Sequence, residues 1–521
     1  MRDRPIADAV TRQVLGVDDF LSGLRPASLA AKAVSLSAYG PADRATWQQE
    51  MARLHEAQTW VEAQPEKLES VRKHLGELPD LERPLRRLRA EESLGDAELF
   101  ELKRFLHFGQ ATLVDASPIL SSWDVPNSWI DRFSELLHTI HPEKQPSARF
   151  HLSDALDETL AQARREERRR KKTLHKAVAE LEAAVIDAHG GGFDIDGFYR
   201  PPGDELPEDP RLSLHKGRLR VHSSELASDR EGLEKAAEAV RSVESRVRKR
   251  LSDELRNHLD LLDDVKATLL SLDLRLARVV LLRDIDGCWA TLKEDPGLRI
   301  ETGRATHIKD AQPIDFESGP EPTIIVGPNM GGKSSLLALV GLSTFCAQHT
   351  IPVPARSFEF SFVESIVYVG AEEPAAHAQE EGLSSFGREV RRLVSWWSEG
   401  GSPKLWLLDE IGRGTHPEEG AELAKEIIEA LHDQGDEVLA ATHFPAVASL
   451  EGARKLRIAG LVRRRELVRE LGELAEDPRA LTEALWRAMD YRPIPTDEAD
   501  VPRDAREIAR ALGLALPPPK P

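Results

Sequence analysis

Cysteine is almost missing from this chain. Cys288 and Cys346 are the two that occur in 521 residues, and they sit far apart in sequence. That excludes a disulfide framework and a cysteine-rich metal site, and it points to reduced core thiols in a cytoplasmic protein. Long apolar runs are missing as well. No stretch approaches the roughly 18 residues of a membrane span, so no membrane segment is expected. The segment Met1-Arg2-Asp3-Arg4 leads into mixed polar sequence without the apolar core of about 7–15 residues that a secretory signal needs. Basic charge is in deficit too. The formal net charge is −19, the wrong sign for a protein whose main task is to coat nucleic acid, although a local basic surface is compatible with it. The length itself exceeds one compact core, so two to four domains are expected.

What the chain does have is concentrated in its second half. Gly327-Pro328-Asn329-Met330-Gly331-Gly332-Lys333-Ser334 fits G-x-x-x-x-G-K-[S/T]. The apolar run Thr323-Ile324-Ile325-Val326 before it reads as a buried strand, and Ser335-Leu336-Leu337-Ala338-Leu339-Val340 after it reads as a helix. That is the context a phosphate-binding loop requires. Glycines let the backbone wrap close to the phosphates, the N–H groups converge on the anion, and the helix start adds partial positive charge. Lys333 is placed to reach the β- and γ-phosphates, and the Ser334 hydroxyl to ligate Mg²⁺. The whole run from Gly327 to Ser335 is therefore assigned to nucleotide binding, with ATP and Mg²⁺ as the expected cofactors.

Two further strands carry chemistry at their ends. Leu405-Trp406-Leu407-Leu408 runs into Asp409-Glu410. A carboxylate at a strand's C-terminal end can hold Mg²⁺, here Asp409, which leaves Glu410 as the general base that polarises the attacking water. Glu437-Val438-Leu439-Ala440-Ala441 ends at Thr442-His443, where the imidazole of His443 can sense the γ-phosphate.

GPNMGGKSS, then LLDEIGRGT, then ATHF closely resembles the ATPase domain of the MutS mismatch-repair family. The resemblance implies an α/β P-loop NTPase domain of the ABC/MutS-like kind and ATP hydrolase activity. In that family two ATPase domains pair head to tail and each completes the other's site. The resemblance places this trans contact at Ser384-Ser385-Phe386, followed by Glu389; the family usually has threonine where Ser385 stands and methionine where Val390 stands. An ordinary helix cap is the other role open to Ser384-Ser385. Leu78-Pro79-Asp80-Leu81-Glu82-Arg83-Pro84-Leu85-Arg86-Arg87-Leu88 looks like part of the family's helical core, and Ala505 to Leu514 like its closing helix.

The remaining sequence reads as a large all-α core with a long antiparallel helical arm. Residues 1–150 form the helical core domain. Residues 151–285 form the arm, with a helix over about 151–188, a small hairpin tip near 190–222 turning at Lys216-Gly217, and a returning helix from Ser223 or Ser224 to about Leu282. The heptad spacing of Leu226, Leu233, Val240 and Val247 supports a coiled coil. Residues 286–460 form the ATPase domain, and 461–521 a helical dimerisation segment. The run Arg164 to Lys172 carries seven positive and two negative residues; it can contact phosphates, pair with acids on the returning helix, or stay solvated.

In mismatch-repair members an N-terminal domain carries an aromatic wedge in a Phe-x-Glu motif. Phe133-Ser134-Glu135 and Phe362-Val363-Glu364 match its letters but read as accidental, and neither that domain nor a C-terminal nuclease-like domain is expected here. Three functions compete: a MutS-type DNA-binding ATPase that works as a homo- or heterodimeric clamp; a factor that remodels a partner enzyme, as in reactivases of cobalamin-dependent aminomutases; and a nucleotide-gated scaffold, against which the intact Asp409-Glu410 pair speaks.

Overall fold

The structure is a computed structural model. It describes residues 6–33, 43–142, 152–203, 205–306, 308, 311–327, 332–370, 384–398, 401–461 and 489–496. The chain divides into two compact units, one formed by Met1–Ala27, Ala31–Pro65 and Leu272–Pro521, the other by Ser28–Ala30 and Glu66–Ser271.

The first unit is built on a six-stranded sheet in the order Ser365–Gly370, Lys404–Asp409, Glu437–Thr442, Thr323–Val326, Arg454–Leu461, Met489–Pro495. All pairings are parallel except the last. Every residue of the strands Thr323–Val326, Lys404–Asp409 and Glu437–Thr442 is buried, as expected of parallel strands covered on both faces. The helices Lys333–Gln348, Ser385–Trp397 and Pro417–Asp433 connect them. A second, four-stranded sheet, in the order Thr291–Leu292, Ser357–Phe360, Leu298–Gly303, Ile314–Glu317, belongs to the same unit.

The division differs from the expected boundary at residue 150, because residues 31–65 join the unit that holds the six-stranded sheet. Their helix Arg44–Ala63 is anchored there by side chains with no sequence signature. Trp47 Nε1 donates to Ala347 O at 2.7 Å, and Glu50 accepts from Arg275 at 2.6 Å. The C-terminal segment differs as well: Met489–Pro495 is a strand, not a helix. The closing helix expected at Ala505 to Leu514 lies outside the described residues.

In the second unit, helices Glu158–His189 and Ser224–Arg256 pack antiparallel. Arg250 meets Asp157 and Arg164 meets Glu244, so contacts run backward along one helix as they run forward along the other. Between them lie the two-stranded pieces Gly192–Phe193 with Tyr199–Arg200, and Leu212–His215 with Arg218–Val221. Lys216 and Gly217, at φ 50° and 78°, form the turn, the left-handed pair that a two-residue hairpin needs. The returning helix is not continuous to residue 282. It ends at Arg256, and a new helix, Leu259–Asp284, begins after Asn257-His258, two residues of low helix propensity. Phe133 is fully buried and lies edge-on to Phe105 at 5.8 Å, so its Phe-x-Glu is core packing.

Candidate functional site

The parallel strands end at one edge of the sheet, and the residues that terminate them converge there. Lys333 begins the helix that follows the glycine loop. Its buried side chain donates from Nζ to Gly327 O at 3.0 Å and lies 3.3 Å from Glu410 Oε1. Glu410 Oε2 meets Arg413 at 3.0 Å and His443 Nδ1 at 3.7 Å. Thus three side chains expected from sequence, Lys333, Glu410 and His443, form one charged cluster, joined by Arg413. Burial pushes the His443 imidazole below its ordinary value, and Lys333 and Arg413 add to this against the opposing pull of Glu410. This favours the neutral ring at neutral pH, and its Nδ1 is buried without a hydrogen-bond partner.

Asp409 lies at the end of its strand, buried. Its Oδ2 accepts from Tyr368 Oη at 2.9 Å, while Oδ1 is buried and has no hydrogen-bond partner. Burial raises its carboxyl above the usual carboxylate range, and the hydroxyls of Ser334 and Tyr368 pull it back only in part. A buried carboxylate oxygen left without a donor, beside a serine hydroxyl, fits a hard divalent cation such as Mg²⁺. Among the described residues no cluster of three or more His, Cys, Asp or Glu could hold a metal, so such an ion would draw its remaining ligands from the nucleotide and water.

The turn after the acidic pair is set by its backbone. Glu410 takes φ 54° and its N–H donates to Ala441 O at 2.9 Å. Gly412 takes φ 79°, and a Cβ on it would lie 2.6 Å from Gly420 O. The loop thus presses backbone to backbone against the start of helix Pro417–Asp433, which only glycine allows.

Pro328, Asn329, Met330 and Gly331 lie outside the described residues, and Ser335 falls in the first helical turn. Ser384 caps its helix, accepting from Gly387 N at 3.1 Å; the Ser385 side chain is outside the described set. Ser384 is therefore not part of the Lys333 cluster. Two residues went unnoticed in the sequence. Tyr368 had a signal, a hydroxyl inside the apolar run Ser365–Gly370. Tyr491 had none: its ring lies against Gly332 so closely that a Cβ there would be 2.7 Å from its Cδ1. Burial raises its phenol above the ordinary value, so it stays protonated.

The basic run is partly paired. Arg164 binds Asp154 and Glu244, Arg168 binds Asp154, and Arg169 and Arg170 bind Glu166. Arg165, Lys171 and Lys172 are exposed.

Residues 323–462 match the family model described as MutS domain V. The chain is 33% identical over 210 residues to an endonuclease MutS2 of Halothermothrix orenii, covering 39% of this chain and 26% of that protein. It is 29% identical over 428 residues to an endonuclease MutS2 of Gemmatimonas aurantiaca, covering 74% of this chain and 50% of the relative. A DNA mismatch repair protein MutS of Chlorobium limicola is 28% identical over 306 residues, 57% of this chain and 34% of its own length. The chain thus spans half or less of each of these relatives.

Proposed function

With the chain a member of the MutS family whose residues 323–462 are its domain V, we propose that it binds and hydrolyses ATP with Mg²⁺. The observation that carries this reading is the convergence of Lys333, Asp409, Glu410 and His443 at the ends of adjacent parallel strands. Lys333 exchanges its contacts with Gly327 O and Glu410 for phosphate oxygens. Ser334 and Asp409 would hold the magnesium ion, which when bound neutralises charge on the phosphates. Glu410, released from Lys333, orients and deprotonates the attacking water. His443, neutral and 3.7 Å from Glu410, reports on the γ-phosphate. Tyr491 forms a wall beside the loop.

The test is Mg²⁺-dependent ATP turnover. Glu410→Gln should retain ATP yet lose about 10²–10⁴ in rate. Turnover at the wild-type rate would remove Glu410 from the base role.

As in the family resemblance, two copies pair so that the Ser384-Ser385 helix start of one meets the nucleotide of the other, and the antiparallel helices move as a clamp. DNA is the proposed ligand of that clamp, since the relatives are named for DNA mismatch repair and endonuclease activity and Arg165, Lys171 and Lys172 are exposed on its first helix. Glutamine in place of these three should weaken duplex binding and flatten its dependence on log salt by about 2.7 in slope. An unchanged slope would place DNA elsewhere or exclude it.

A further inference from the structure

Helix Ser385–Trp397 binds the neighbours of both site carboxylates, through two residues three apart in sequence and so on one helical face. The first connection runs through Arg392. Its Nε donates to Tyr368 O at 2.6 Å, and its Nη atoms donate to both carboxylate oxygens of Asp8 at 3.0 Å and to Thr11 Oγ1 at 2.9 Å. Thr11 in turn accepts from Tyr368 N at 3.3 Å, and Ile6 O accepts from Ile366 N at 2.7 Å. The strand that carries Tyr368 is therefore gripped between the helix and the segment Ile6–Thr11. Tyr368 lies two residues before Gly370, which pairs in register with Asp409. A Cβ on Gly370 would sit 2.7 Å from Tyr368 Oη, so the glycine is the gap through which the hydroxyl reaches Asp409 Oδ2.

The second connection runs through Glu389, whose Oε1 accepts from Gly412 N at 2.9 Å. Gly412 is two residues past Glu410, in the left-handed turn that aims that side chain at Lys333.

We propose that this helix is the seat of both carboxylates: Arg392, through Tyr368, holds Asp409 so that Oδ1 is presented to magnesium, and Glu389, through Gly412, holds the turn that aims Glu410. Tyr368, Arg392 and Glu389 are positioning residues. The seating of one helix then sets two separable properties, magnesium affinity and turnover. This inference rests on the Mg²⁺-ATP reading above.

The test uses the full chain and a fluorescent ATP analogue, titrated in EDTA and across Mg²⁺ concentrations. Tyr368→Phe should raise the Mg²⁺ needed for half-maximal tightening about 10–100-fold and leave affinity in EDTA unchanged. Arg392→Lys should shift the requirement in the same direction, and the double variant no further than the larger single one. Glu389→Leu, which removes the acceptor for the Gly412 N–H, should leave both binding measurements unchanged and lower turnover at saturating Mg²⁺-ATP about 10–100-fold, and unchanged turnover would overturn its role. An unchanged Mg²⁺ requirement in Y368F, equal loss in EDTA and in Mg²⁺, or additive shifts in the double variant would overturn the proposal while wild-type binding keeps the Mg²⁺-ATP reading intact. A wild-type chain that binds no analogue overturns both.

Discussion

Glu410 holds a backbone conformation that L-residues resist, φ 54°, at the centre of the charged cluster. Such a residue persists where its surroundings over-determine it. Here they do: its N–H is bonded to Ala441 O, and its carboxylate is shared by Lys333 and Arg413. The next fixed point is Gly412. Gly412→Ala places a Cβ 2.6 Å from Gly420 O at positive φ and is expected to destabilise the fold by about 2–4 kcal/mol. A thermal melt indistinguishable from wild type would contradict the backbone-to-backbone contact. At this scale the motif letters were legible because each sits at the end of an apolar run: Val326 before the loop, Leu408 before Asp409-Glu410, Ala441 before Thr442-His443. Tyr368 and Tyr491 reach the site from other strands, and Arg392 stands behind Tyr368 from a helix; no short spacing marks such contacts.

At the scale of elements, the segment Leu78 to Leu88 gains a physical role. Helix Glu82–Arg89 turns Arg83 and Arg87 toward the buried Glu98 at 3.0 and 2.8 Å, and Gly95 N–H adds a third bond. Burial pushes the Glu98 carboxyl up, but the Arg87 and Gly95 hydrogen bonds and both guanidinium charges outweigh it and leave it below the ordinary value. Its contribution to stability is therefore complete above the ordinary glutamate value and is lost as pH falls through the lowered one. Glu98→Gln should cost about 1–3 kcal/mol at neutral pH and have less effect in strong acid. A pH-independent difference between the two proteins, measured by denaturant unfolding, would remove the ion pair from the account. Heptad spacing made the long helices legible, and Lys216-Gly217 the hairpin. The break at Asn257-His258 was not, since apolar spacing persists on both sides of it.

At the scale of the molecule, the boundary near residue 150 was misplaced because residues 31–65 look like any amphipathic helical stretch. What assigns them to the unit of the six-stranded sheet is tertiary: Trp47 on Ala347 O, and Glu50 between Arg275 and Arg278. Residues 272–284 of helix Leu259–Asp284 belong to the same unit. Arg278 on it donates to Thr350 Oγ1 at 2.7 Å, just past the end of helix Lys333–Gln348. The measurement that tests the central claim most directly is calorimetric titration of ATP into Glu410→Gln protein, with Mg²⁺ and with EDTA, alongside Lys333→Ala. The account predicts saturable binding that Mg²⁺ tightens and that Lys333→Ala abolishes. No heat of binding at any Mg²⁺ concentration, or equal affinity in the Lys333→Ala protein, would contradict it.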